Sequence, residues 1–246
     1  MKDEPCEFCR HDFLAVLSHE LRNPLAALSN SLHVLKKCQP GEARSIRATA
    51  VMDRQIRHMA ALIDSLTEAA NLGRGNVQLH RSLTDLAELL RNACLDHDYV
   101  FASHEIELRQ EIPDGLPRIL ADPMRLTQVI GNLLQNAAQF THAGGRVVVG
   151  LEHDEAAQRA RIRVQDSGVG LAAGLRDRLF KPFAQTETSL ARGAGGLGLG
   201  LALVKGVVDL HGGSVWAESE GPGQGTTFFV ELPCATAELA PPPSEP

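Results

Sequence analysis

His19 stands in the stretch Phe13-Leu14-Ala15-Val16-Leu17-Ser18-His19-Glu20-Leu21-Arg22-Asn23-Pro24-Leu25. Apolar residues at 13, 17, 21, 25, 28, 32 and 35 recur at three- and four-residue steps, the spacing of a long helix with one buried stripe. His19 lies off that stripe, Glu20 follows it directly, and Asn23 lies one turn on. An imidazole on the solvated side of a helix, with an acid beside it and a helix-breaking proline five residues later, has the setting of a reagent rather than a strut.

Four further segments carry candidate chemistry. Asn132 and Asn136 are four apart, so both amides project from one helix face. Their carbonyl oxygens suit Mg²⁺, which is usually shared with substrate phosphates, although a solvated polar face reads the same. Asp166-Ser167-Gly168-Val169-Gly170 follows an alternating strand. A carboxylate there can accept from an exocyclic amine and the glycines allow close approach of a flat ring, yet in isolation it is a turn with a charged start. Leu179-Phe180-Lys181-Pro182-Phe183 leads into a polar stretch, 184–195, that suits either a lid with Lys181 and Arg192 near phosphates or a plain surface loop. Last, the run from Gly193 to Leu201 opens a helix, where free amides and the helix N-terminus favour polyphosphate. It lacks the Lys-Ser/Thr ending of a P-loop and the βαβ context of a dinucleotide site.

These segments need elements to hold them. Residues 8–37 predict one long helix, Gln39-Pro40-Gly41 a turn, and residues 43–72 a second helix of matching length, giving an antiparallel hairpin. Its two narrow seams predict that two hairpins pair into a dimeric four-helix bundle. Gly73-Arg74-Gly75 breaks the pattern. Beyond it we expect a strand at Val77–Leu79, a helix over 84–96 capped by Thr84, a strand at 105–111, and a helix from Asp122 to Phe140 with Leu126, Val129, Ile130, Leu133 and Leu134 inward. A hairpin of Arg146–Glu152 with Arg159–Gln165, a helix at 199–211 and strands near 214–219 and 226–232 follow. The fold class is α+β: the hairpin, then a mixed sheet with helices on one face. The domains read as a lead-in at 1–9, the hairpin at 10–75, the sheet domain at 76–236 and a Pro-rich tail at 237–246.

Bulk composition narrows the possibilities. Residues 1–75 carry 10 basic and 9 acidic side chains against 14 and 21 beyond, which argues against a nucleic-acid face in the larger part. Five cysteines at irregular positions fit reduced thiols, and Cys6-x2-Cys9 with His11 is at most half a zinc site, since no second pair follows. With no apolar run long enough to span a membrane, the expected location is cytoplasmic.

Taken in order, these motifs make the chain resemble the catalytic core of two-component sensor histidine kinases. His19-Glu20-Leu21-Arg22-Asn23-Pro24-Leu25 resembles the phosphoacceptor box of that family. The segments 132–141, 166–170, 180–183 and 196–200 resemble its nucleotide-binding boxes, in the same order. The resemblance implies a Bergerat-type α/β sandwich after the dimerisation hairpin, with ATP and Mg²⁺ as cofactors and a response-regulator receiver domain as partner. It makes His19 the phosphoacceptor, Glu20 the group that orients the ring and draws its proton, and Asn23 the residue that orients a water for dephosphorylation. Asn136 becomes the Mg²⁺ ligand, Asn132 a phosphate neighbour, and Asp166 the adenine acceptor flanked by Gly168 and Gly170. Phe180, Lys181, Phe183 and Arg192 fall at the lid, and Gly196, Gly198 and Gly200 let it close. One position departs from the pattern: Gln139 stands where the family usually has Lys or Arg, removing a cation from beside the triphosphate. That keeps open a degenerate ATP-binding scaffold or phosphatase-only dimer. A chaperone- or mismatch-repair-type ATPase would have Glu at 132 and no phosphoacceptor hairpin.

Overall fold

The computed structural model describes residues 7–39, 41–75, 77–116, 118–172, 174–183 and 198–235, with backbone alone at 7–16, 19, 20 and 177. The chain forms two compact units, one of residues 1–71 with 182–199 and one of residues 72–181 with 200–246.

In the first unit, α1 (Glu7–Leu35) and α2 (Ala43–Gly73) match the expected pair of long helices. Leu17 of α1 packs with Leu62 and Leu66 of α2. Leu17 and Leu62 lie nearly the same number of residues from the intervening turn, as an antiparallel hairpin requires. Pro24 sits inside α1, where it withdraws the N–H that would serve the Glu20 carbonyl. The apolar stripe is only partly covered: Leu25, Leu32, Ile46, Ile56 and Ile63 remain exposed in the single chain.

In the second unit a five-stranded sheet runs in the order β2-β4-β5-β7-β6. Its strands are β2 (Glu107–Glu111), β4 (Arg146–Asp154), β5 (Arg159–Asp166), β6 (Ser214–Glu218) and β7 (Thr226–Pro233). The β2–β4 pair is parallel and the others antiparallel, so the sheet is mixed as expected. The strands alternate, with Val147, Val149, Ile162, Val164, Phe228 and Val230 buried in one core with residues of three helices: α3 (Leu86–Ser103), α4 (Pro123–Phe140) and α5 (Gly200–Leu210). The five apolar positions expected inward on α4 are all buried. The opposite sheet face is polar and aromatic: Trp216 stacks on Phe229 at 5.1 Å, Arg161 lies over the indole, and Arg161 and Arg163 pair with Glu231 and Glu111.

Three local expectations are corrected. Val77–Leu79 forms no strand. Its alternation of half-buried and exposed residues is present, but the partner strand β3 (Ile119–Ala121) has three residues and pairs instead with β1 (Ser82–Thr84). The cap of α3 is Asp85, whose carboxylate accepts the Glu88 N–H at 3.1 Å; the Thr84 hydroxyl is taken up by the Ser82 carbonyl at 3.1 Å. Finally α3 runs on to Ser103, because Phe101 continues its buried face. Cys38, Cys94 and Cys234 are free thiols, and no helix of the described residues is long and apolar enough to cross a membrane.

Candidate functional site

The spine of the site is α4, whose N-terminus is fixed by the Asp122 carboxylate accepting the Arg125 N–H at 3.2 Å. With the apolar face of α4 sunk in the core, the other face carries Asn132 and Asn136, both half-buried. Among the described residues neither amide makes a side-chain hydrogen bond, so their donor and acceptor capacity is unspent. The first residue of α5 arrives beside Asn132: a Cβ on Gly200 would lie 3.5 Å from its Oδ1.

At the other end of α4 the helix meets the segment after β5. The Phe140 carbonyl accepts the Val169 N–H at 3.2 Å, and a Cβ on Gly168 would collide with that carbonyl oxygen. Gly170 has φ of 66°, and a Cβ there would strike the Gly221 carbonyl. The turn after β6 braces the same segment: Gly225 N–H donates to the Gly168 carbonyl at 3.1 Å and Gly223 N–H to the Val169 carbonyl at 2.7 Å. The backbone at 168–170 is thus a thin ledge that only glycine allows.

Asp166 ends β5 behind this ledge and is buried. Its Oδ1 accepts N–H groups from Gly168 at 2.8 Å and Thr226 at 3.2 Å, and Oδ2 has no partner among the described residues. Burial raises its carboxyl above the ordinary carboxylate value, against the lowering effect of those two N–H groups. A carboxylate with one oxygen anchored and the other open is suited to receive one external donor such as an amine.

Phe180 meets Phe228 edge-to-face at 6.5 Å on the border of the core, and Lys181 is exposed. In the first unit, Phe183 donates its N–H to the Gly198 carbonyl at 3.1 Å, and Phe183 and Leu199 pack with Leu17, Leu62, Leu66 and Ala69. Asn23 is exposed on α1, which also carries the backbone of His19 and Glu20; Arg192 and Gly196 lie outside the described residues, as does Cys6 of the half zinc site. No group of three or more metal-binding side chains of the His, Cys, Asp or Glu type occurs among the described residues.

Two participants have no local sequence signal. Thr226 faces Asp166 across the β5–β7 ladder and supplies one of its N–H groups, from 60 residues away. Ser219 holds the ledge by accepting the Leu171 N–H at 3.1 Å and donating to the Gly225 carbonyl at 2.6 Å. A glycine-rich turn before an alternating strand, Gly221-Pro222-Gly223-Gln224-Gly225, is the one hint of Thr226 in the sequence.

Comparison with known proteins places both units. Residues 9–75 match the family described as His Kinase A (phospho-acceptor) domain, and residues 121–236 match Histidine kinase-, DNA gyrase B-, and HSP90-like ATPase. The chain is 36% identical over 239 residues to the circadian input-output histidine kinase CikA of Thermosynechococcus vestitus, covering 95% of this chain and 32% of that protein. It is 32% identical over 229 residues to the alginate biosynthesis sensor protein KinB of Pseudomonas aeruginosa, covering 92% of this chain and 37% of KinB. It therefore spans about a third of the length of these two curated relatives. Among solved structures, full-length ShkA in complex with AMPPNP superposes with a TM-score of 0.70 at 33% identity, over 91% of this chain and 46% of ShkA. A phosphoacceptor-type hairpin followed by this ATPase fold, with histidine kinases as relatives over nearly its whole length, places the chain in the two-component sensor histidine kinase family, as a catalytic core of that type.

Proposed function

We propose that the chain transfers the γ-phosphoryl group of ATP to His19 and then to an aspartate of a response-regulator receiver domain. The support that carries this is the chemistry converging on α4: two unspent amides, a glycine ledge and a buried carboxylate with one open oxygen, in a chain whose hairpin belongs to the phosphoacceptor type. ShkA, similar along nearly all of this chain, was solved with an ATP analogue bound.

Asp166 Oδ2 accepts the adenine amino group, and Gly168 and Gly170 let the ring lie against backbone. Asn132 and the start of α5 at Gly200 receive the phosphates, with Gly196, Gly198, Lys181 and Arg192 contributing from the lid. The unspent Asn136 amide oxygen fits a hard cation, and Asn136 would hold Mg²⁺, which supplies charge neutralisation to the triphosphate when bound. Glu20 orients the His19 ring and draws the proton from one nitrogen. The other nitrogen attacks the γ-phosphorus in line, an N–P bond forms, the bond to the β,γ-bridging oxygen breaks, and ADP leaves. The phosphoryl group then moves to the receiver carboxylate, and Asn23 orients water when the reaction runs as dephosphorylation. Two copies pair through residues 10–75, which covers the apolar side chains left exposed on the helices.

Incubation with labelled ATP and Mg²⁺ tests this. Label that is acid-labile, base-stable and absent from His19→Gln supports it; label that survives acid or persists in His19→Gln overturns it.

A further inference from the structure

We infer that His211 is a positioning residue for the site on α4: it pins the start of α4 to the end of α5 and so fixes where the first residue of α5 meets Asn132. The inference rests on the nucleotide reading given above.

The Asp122 backbone N–H, immediately before α4, donates to His211 Nε2 at 3.0 Å. An N–H donor obliges Nε2 to accept, which puts the ring proton on Nδ1, and Nδ1 donates to the Val207 carbonyl at 2.8 Å. The ring is buried with both nitrogens spent. The same junction gathers the segment that leads into β1. Asp122 Oδ2 accepts the His80 N–H at 2.9 Å, and the Arg81 guanidinium donates to the Leu210 carbonyl at 2.8 Å. Asp122 and Arg81 are the charged groups that act on the ring, one from the α4 cap and one from that segment; the His80 side chain is exposed.

Helix geometry carries the effect to the site. From Asp122 to Asn132 is ten residues and from Gly200 to His211 eleven, spans of about 15 and about 16 Å at the α-helical rise. The helices meet at both ends of that span, His211 on Asp122 at one and Gly200 beside Asn132 at the other. Antiparallel helices matched in this way have one register, and the histidine hydrogen bond is a directional lock on it.

The lock also has a chemical release. An imidazolium carries N–H on both nitrogens, so Nε2–H would oppose the Asp122 N–H, donor against donor. Burial holds the ring below the ordinary histidine value; the Val207 carbonyl and the Asp122 charge oppose that shift, and the Arg81 charge adds to it.

The test is AMPPNP affinity of the full chain from about pH 7.5 to about pH 4.5, a window that extends well below the ordinary histidine value because burial delays protonation of this ring. It compares wild type, His211→Gln and His211→Ala, with amide exchange at Asp122 and in the first turn of α5 recorded alongside. Gln offers an oxygen acceptor that takes up no proton. It is expected to bind as wild type does at the upper pH, while wild type loses at least about threefold more affinity than Gln at the lower. Titration of the analogue or of Asp166 moves both curves together and cancels in the comparison. His211→Ala is expected to bind at least about fivefold more weakly throughout, the size of one lost buried hydrogen bond, and to exchange faster at both places. Parallel pH curves for wild type and His211→Gln overturn the inference, as do wild-type affinity and exchange in His211→Ala. If wild type binds no nucleotide at any pH, the nucleotide reading falls and the exchange data decide alone. Protection in the first turn of α5 that is lost in Ala and kept in Gln then sustains the pin, and equal protection in all three overturns it.

Discussion

In the α/β unit Leu90, Ile130, Leu133, Leu134, Val147 and Val230 have no exposed surface, whereas on the helices Leu25, Ile46, Ile56 and Ile63 are 52%, 62%, 56% and 54% exposed. The contrast comes from how each unit meets its own apolar residues. A five-stranded sheet with three helices on one face has two surfaces that close on each other, so one chain suffices. Two helices in antiparallel pair touch along a line and leave the flanks of each stripe to a second copy. Burying one such side chain contributes about 1.5–3 kcal/mol, while association costs about 4–15 kcal/mol, so several per copy are needed. The helices carry several. One unit is thus complete as a fold, and on the reading proposed above the other reaches completion in the dimer that would carry His19.

Substitutions on either side of that contrast break or sharpen it. Leu134→Ala empties a fully buried position and is expected to cost about 2–5 kcal/mol in urea unfolding of the α/β unit at any protein concentration. Ile56→Ala should leave that transition within about 0.5 kcal/mol and raise instead the concentration needed to hold the dimer, read by sedimentation. An Ile56→Ala protein as dimeric as wild type would remove the distinction.

Next in size are changes at the ledge. Asp166→Asn replaces the acceptor of an external donor, and a hydrogen bond to a charged group is worth about 1.5–3 kcal/mol, so AMPPNP affinity should fall at least about tenfold with dimerisation untouched. Gly168→Ala should do the same by driving the Phe140 carbonyl aside. Affinity within twofold of wild type in both would displace the nucleotide from this ledge.

Smaller effects follow pH. His211 is held below its ordinary value, so the unfolded chain takes up a proton that the folded chain resists. Stability of the α/β unit should therefore decline as pH falls through about 6.5. Asp122 sits below the ordinary carboxylate value of 3.8: burial works to raise it, but the N–H groups of His80, Arg125 and Met124 and the Arg125 charge outweigh burial. Its loss comes lower, as pH drops through and beneath that value. Asp166, raised by burial, works in the opposite sense, binding its proton more readily when folded. Urea midpoints for wild type and His211→Gln separate the first contribution from the others, and a midpoint that does not fall on mild acidification contradicts the burial of a neutral ring. Smallest of all, Gln139→Lys should raise the labelling rate by less than about tenfold by returning a cation to the triphosphate side of α4. A lower rate would mean that Gln139 is adapted to its present partner.

How far these contrasts can be read from sequence depends on distance along the chain. The α4 pattern, with Asp122 before it and five apolar positions on one face, foretells both the helix and the pair Asn132/Asn136, because cap and periodicity are local. The alternations at 146–152 and 159–165 foretell the hairpin for the same reason. Long-range choices are different. Which of two alternating triplets would pair with β3 turned on a partner 37 residues ahead, so Val77–Leu79 reads as the strand and Ser82–Thr84 is the strand. Asp166 is legible as an acceptor by resemblance, yet the Thr226 N–H that leaves one of its oxygens open comes from the last strand of the sheet. His211 closes the helix expected at 199–211, and nothing near it in sequence announces the Asp122 N–H that reaches it across 89 residues.

The central claim is that the dimeric hairpin supplies the nucleophile and the α/β unit the phosphoryl donor. Its most direct measurement mixes Asn136→Ala chains with His19→Gln chains in one preparation and follows label from ATP. The account predicts acid-labile label on wild-type chains and none on any chain that lacks His19, alone or in the mixture; within the mixture, label on the Asn136→Ala chains marks transfer in trans and its absence transfer in cis. Label recovered on His19→Gln chains, or equal labelling when both chains lack Asn136 and Asp166, would contradict it.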